Sequence, residues 1–85
     1  MRIFVKFFII HPMQKFGEKL RILRNKQGMT LKELAVNLGL NAHGYISEIE
    51  SGKKKPTVEF VMNVARLFNI SIDQLLKDEI EIEED

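Results

Sequence analysis

Residues 30–50 read Thr30-Leu-Lys-Glu-Leu-Ala-Val-Asn-Leu-Gly39-Leu-Asn-Ala-His-Gly-Tyr-Ile-Ser-Glu-Ile-Glu50. Thr30 followed by Glu33 is a capping box: a hydroxyl for the Glu33 amide and a carboxylate returning to Thr30. Leu31, Leu34, Ala35 and Leu38 recur at three- and four-residue spacing, which makes one helical face apolar. Gly39 suits a helix end because it enters the left-handed region without steric cost. A second helix then turns Ile46 and Ile49 inward and His43, Gly44, Ser47, Glu48 and Ser51 outward. A short helix with a polar outer face, pinned by another short helix, is a shape the DNA major groove admits. The stretch is read as a helix-turn-helix.

Working outward, a first helix is expected from about Met13 to Lys26, with Phe16, Leu20 and Leu23 as its buried stripe. Lys19, Arg21, Arg24 and Lys26 would make its other side basic, and Gly28 would close it. After the second pair comes Gly52-Lys-Lys-Lys-Pro56, a basic loop ended by proline. Thr57 can cap a fourth helix whose core stripe is expected to be Val58, Val61, Val64, Ala65 and Phe68. Ser71 with Gln74 forms a second capping box, opening a short fifth helix through Leu75 and Leu76. The expected fold is therefore all-α, five helices over residues 13–77, between an arm (1–12) and a tail (78–85). No internal repeat is visible.

Eighty-five residues make one small domain with a modest core, for which stabilisation by a partner is common. There is no cysteine, which excludes disulfides and thiolate metal sites; a cytoplasmic location is expected. No apolar run approaches the roughly 20 residues of a membrane-spanning helix. The formal net charge of +1 conceals segregation. Residues 13–77 hold eleven Lys and Arg against six Asp and Glu, whereas residues 78–85 hold six acids and no base. A basic centre suits phosphate binding, although a surplus of five is modest. Catalysis is disfavoured: the two histidines, His11 and His43, are unclustered, and no glycine-rich phosphate loop exists. No metal or cofactor is expected.

The arm, Met1-Arg-Ile-Phe-Val-Lys-Phe-Phe-Ile-Ile10, superficially resembles a signal peptide, but Lys6 interrupts the apolar run and no small-residue cleavage site follows. Met13 is a second candidate start residue. The β-branched and aromatic content of the arm favours a strand, with Ile3, Val5, Phe7 and Ile9 on one face. Glu79-Ile-Glu-Ile-Glu83 in the tail alternates in the same way. Arm and tail are therefore read as able to pair in a small sheet, within a subunit or across a two-fold axis, making Ile3, Val5, Phe7 and Ile9 candidate dimerisation residues. The plainer reading of the tail is a solvated acidic end.

From Phe16 to Leu76 the chain resembles the lambda-repressor-like, Cro/C1-type (XRE) helix-turn-helix proteins. The resemblance rests on Leu20-Arg-Ile-Leu-Arg24, Gly28-Met-Thr30, Glu33-Leu-Ala35, Leu38-Gly39, Tyr45-Ile-Ser47, Ile49-Glu50, Gly52, Pro56-Thr-Val58, Val64-Ala65 and Ile70-Ser-Ile-Asp-Gln-Leu-Leu76. It implies a regulator, repressor or controller, that binds an inverted-repeat operator in double-stranded DNA as a homodimer. An antitoxin or protein-binding adaptor acting through the arm or tail is the alternative. Two departures stand out. Leu31 occupies a position where the family often has a phosphate-contacting glutamine, and the turn before Ile46 is one residue longer than usual.

Counting back from Ile46, His43, Gly44, Ser47 and Glu48 match the family's base-facing positions. Glu48 would suit the N4 amino group of cytosine, and Gly44 a close backbone approach. Phosphate contacts are expected from Thr30, Lys32, Tyr45, Ser51, Lys53, Lys54 and Lys55. The three lysines would ordinarily be a solvated loop, but beyond a recognition helix they lie where phosphates pass. The resemblance also implies a salt bridge between Arg24 and Glu50.

Overall fold

The computed structural model describes residues 15–82. Among them lie five helices: α1 (Phe16–Lys26), α2 (Leu31–Asn37), α3 (Gly44–Glu50), α4 (Val58–Phe68) and α5 (Ile72–Leu76). The arm, with Ile3, Val5, Phe7 and Ile9, lies outside the described residues, as do residues 83–85.

Local chemistry sets the starts of three helices. Thr30 Oγ1 accepts from the Glu33 amide at 3.0 Å, and Glu33 Oε1 accepts from the Thr30 amide at 2.8 Å. Ser71 and Gln74 make the same reciprocal pair, and Thr57 Oγ1 accepts from the Phe60 amide at 3.1 Å. The ends of α1 to α4 share one closure. The amides of Met29, Leu40, Lys53 and Ile70 donate to the carbonyls of Arg24, Ala35, Glu48 and Ala65, at 2.8–3.1 Å. In each case the preceding residue is left-handed: Gly28, Gly39, Gly52, and, without a glycine, Asn69 at φ 56°.

Phe16, Leu20, Leu34, Ile46, Ile49, Val64 and Leu75 form the fully buried centre. Phe60, Val61 and Ala65 extend it from α4, and Phe68 packs beside it. Apolar residues at three- and four-residue spacing on each helix converge there, so burial of these stripes holds the short helices that would be marginal alone. Gly17 lets α1 lie against the end of α3. A Cβ at this position would fall 2.8 Å from the carbonyl oxygen of Glu50 and closer still to that of Ile49.

Three expectations need correction. Val58 is not in the core stripe but 77% exposed. It is the first residue of α4, and because helical Cβ atoms tilt toward the N-terminus, its side chain projects past the packed end. Lys19 does not belong to a basic surface: it is buried, and its Nζ donates to the carbonyls of Gln74 at 2.6 Å and Lys77 at 2.5 Å. Its ammonium thus satisfies carbonyls at the end of α5, where a cation is favoured. Burial pulls the Lys19 pKa below the ordinary lysine value, with Asp78 pulling the other way. Finally, Glu79–Ile82 forms no strand. The Ile80 amide closes a turn on the Lys77 carbonyl at 3.0 Å, and Ile82 packs partly buried against the core. Asp78 Oδ1 accepts from the Lys15 amide at 3.0 Å, which fixes the start of the tail to the start of α1.

Candidate nucleic-acid interface

The surface around α3 is built from its inner face outward. Ile46 and Ile49 are buried, and so is Glu50, whose carboxylate turns to α1. Arg24 Nε donates to Glu50 Oε2 at 2.7 Å and Arg24 Nη2 to Oε1 at 3.1 Å, a two-pronged pair. The remaining Arg24 prong, Nη1, donates to the Met29 carbonyl at 2.9 Å, which ties the α1–α2 connection into the same group. Arg21 Nε approaches Glu50 Oε1 at 3.4 Å from the solvent side. The hydrogen bonds to Glu50 hold the Arg24 pKa above the ordinary arginine value.

With that side anchored, His43, Gly44 and Ser47 are exposed and Glu48 is half-buried on the opposite side of α3. Spacing alone places them together, since 43, 44, 47 and 48 follow the helical period. His43 is the residue before α3, which begins at Gly44, with Leu40 to His43 as the connection. The four residues share a shallow depression of about 560 Å³ with Leu31, Tyr45 and Lys54. Leu31, where the family often carries a polar contact, therefore gives this surface an apolar corner.

The other expected contacts are distributed differently. Thr30 is engaged in its capping box, and Lys32 is exposed on α2. The Tyr45 ring stands edge-on to Phe60 with centroids 5.2 Å apart, so it is fixed to the core. Ser51 Oγ donates back to the Glu48 carbonyl at 3.1 Å. Lys53, Lys54 and Lys55 are all exposed, but only Lys54 reaches toward the α3 face: its Nζ lies 3.3 Å from Glu48 Oε1. Sequence reading missed this link, along with Arg21 and Gly17. The i,i+6 separation of Glu48 and Lys54 is not a helical pairing; it becomes a contact only because Gly52 turns the chain back at φ 83°.

Among the described residues, no group of three or more His, Cys, Asp or Glu could hold a metal ion, and no helix is long and apolar enough to cross a membrane.

A helix-turn-helix family model matches residues 20–75. The chain is similar to the transcriptional activator BcrR of Enterococcus faecalis, with 37% identity over 65 residues, covering 76% of this chain and 31% of the relative. The transcriptional repressor RghR of Bacillus subtilis is 37% identical over 65 residues, covering 75% of this chain and 47% of the relative. The transcriptional regulator SinR of Bacillus licheniformis is 31% identical over 70 residues, covering 81% and 62%. The chain thus spans less than two thirds of these curated relatives. Among solved structures, it resembles the restriction-modification controller protein C.AhdI from Aeromonas hydrophila, with TM-score 0.66 and 28% identity over 74% of this chain and 94% of that one.

Proposed function

This chain belongs to the Cro/C1-type (XRE) helix-turn-helix family of transcriptional regulators, and from that premise we propose that it is a sequence-specific DNA-binding regulator acting as a homodimer on an inverted-repeat operator. One observation carries the reading: α3 presents His43, Gly44, Ser47 and Glu48 outward beside the exposed lysines of residues 53–55, while Arg24 and Glu50 brace its inner side. In this reading α3 enters the major groove, which is about 12 Å wide and shows a distinct pattern of donors and acceptors for each base pair. Glu48 accepts from a cytosine amino group and Ser47 bonds a base edge, while Gly44 allows close approach of the helix start. Thr30, Lys32, Tyr45, Ser51, Lys53 and Lys55 lie toward the phosphates, giving affinity and register rather than sequence choice.

Within this class, the likeness to a restriction-modification controller over nearly that protein's whole length favours a small controller. The test is selection of bound duplexes from random DNA, followed by titration of the winner at several salt concentrations. Expected is an inverted repeat with half-site centres about 10 bp apart, or a multiple. A dimer with three or four phosphate contacts per subunit should give a slope of log K against log salt of roughly −5 to −7. Failure to enrich any sequence, with binding equally weak on all duplexes, would overturn the proposal.

A further inference from the structure

Three donors in the loop after α3 converge on a single carbonyl. Gly52 turns the chain back, so that the amides of Lys53 and Lys54 donate to the Glu48 carbonyl at 2.9 and 3.2 Å. Ser51 Oγ joins them on the same oxygen at 3.1 Å. The Lys54 side chain then returns over α3. Its Nζ lies 3.3 Å from Glu48 Oε1 and 5.7 Å from the centre of the Tyr45 ring, itself held against Phe60. Lys54 is therefore restrained through backbone amide, ammonium and ring contact, whereas Lys53 and Lys55 have no ion-pair partner among the described residues.

We propose that Lys54 is a positioning and specificity-determining residue for Glu48, distinct in role from the phosphate-facing Lys53 and Lys55. The inference rests on the DNA-binding reading above and deepens it. A carboxylate carried toward a polyanion is repelled unless a cation accompanies it. Lys54 supplies that cation and occupies Oε1, which leaves Oε2 to accept from a base. In the free protein the pair is weak, because both side chains are about half exposed, at 57% and 46%, and water screens them. Docking on a duplex removes that water, so the same geometry strengthens where it is needed.

The experiment compares K53A, K54A, K55A, K54R, E48Q and the double variant K54A/E48Q of the full chain. Each is titrated on the selected site and on sites with one base pair changed in each half. K53A and K55A should weaken all sites alike and flatten the salt slope. K54A should weaken the selected site about tenfold more than either, and should erase preference at the position E48Q also relaxes. Adding E48Q to K54A should recover binding, because the bare carboxylate is gone, and K54R should keep the preference. Thermal melting of K54A should match the wild type, separating positioning from folding. If K54A loses no more than K53A or K55A with its preference intact, or if its effect and that of E48Q simply multiply, the proposal is wrong. A wild-type chain that selects no sequence overturns the DNA-binding reading itself. Selection by the wild type with unaltered preference in K54A overturns only the role of Lys54.

Discussion

Two glutamates sit two residues apart on the seven-residue α3, and each has a basic partner. Glu50 is 3% exposed at its side chain, held by both prongs of Arg24 and approached by Arg21. Glu48 is 46% exposed and meets a single lysine, Lys54, at 3.3 Å. Charge and residue type are the same; burial differs. Out of water, a carboxylate that loses its partner has nothing to replace it, so the Arg24–Glu50 pair is an element of the fold. At the surface water replaces a lost partner at little cost, so Glu48 and Lys54 are free to serve recognition. One helix thus carries a structural carboxylate on one side and, on the other, an exposed carboxylate for which we propose base reading.

The sharpest way to break this contrast is Arg24→Ala. It leaves Glu50 out of water with only Arg21 at 3.4 Å, and should cost on the order of 3–5 kcal/mol in urea denaturation. A loss below about 1 kcal/mol would mean that Glu50 behaves like Glu48.

Lys19→Met asks whether a buried cation on α1 obeys the same rule. Methionine keeps much of the stem volume but strands the carbonyls of Gln74 and Lys77, with an expected cost of about 1–3 kcal/mol. A thermal midpoint equal to the wild type would show that those carbonyls find water.

Gly17→Ala probes the backbone contact on which Glu50 depends. The added methyl meets the Glu50 and Ile49 carbonyl oxygens, and prying α1 from α3 should cost about 1–3 kcal/mol. Gly44→Ala is the control: a methyl at that position meets nothing within 4 Å, so chemical denaturation should show no loss beyond about 0.5 kcal/mol.

The smallest stability effect is expected at the exposed carboxylate. Glu48→Gln should leave the denaturation midpoint within about 0.5 kcal/mol of wild type. Its consequence should appear instead in titrations against base-substituted duplexes, as a change of about 1–3 kcal/mol at one position per half-site. A large loss of stability with unchanged base preference would reverse the roles assigned to the two glutamates.

Much of this was legible in the residues because it is local. Capping boxes need only Thr30 with Glu33 and Ser71 with Gln74, three positions apart, and left-handed closures need only a glycine in the right place. Periodicity also identified Leu20, Leu34, Ile46, Ile49 and Val64 as inward-facing. Val58 misled because it keeps the period but lies at a helix end, where the period no longer implies a covering neighbour. Lys19 misled because a lysine beside an apolar stripe is ordinarily solvated. Its partners are 55 and 58 residues away, on carbonyls that carry no side-chain signature.

By itself, then, the sequence determined the five helices, the side-chain caps of three of them, the apolar stripes that bring them together and the polar face of α3, since each depends on residues within a few positions of one another. Tertiary structure alone decided which charges were removed from water. It placed Lys19 against the end of α5, drew Arg21 beside Arg24 on Glu50, and required Gly17 to be bare where α1 crosses α3. It also folded Lys54 back onto Glu48. Burial and the direction of a carbonyl are properties of the assembled chain, and they decide whether a charge supports the fold or remains available at the surface.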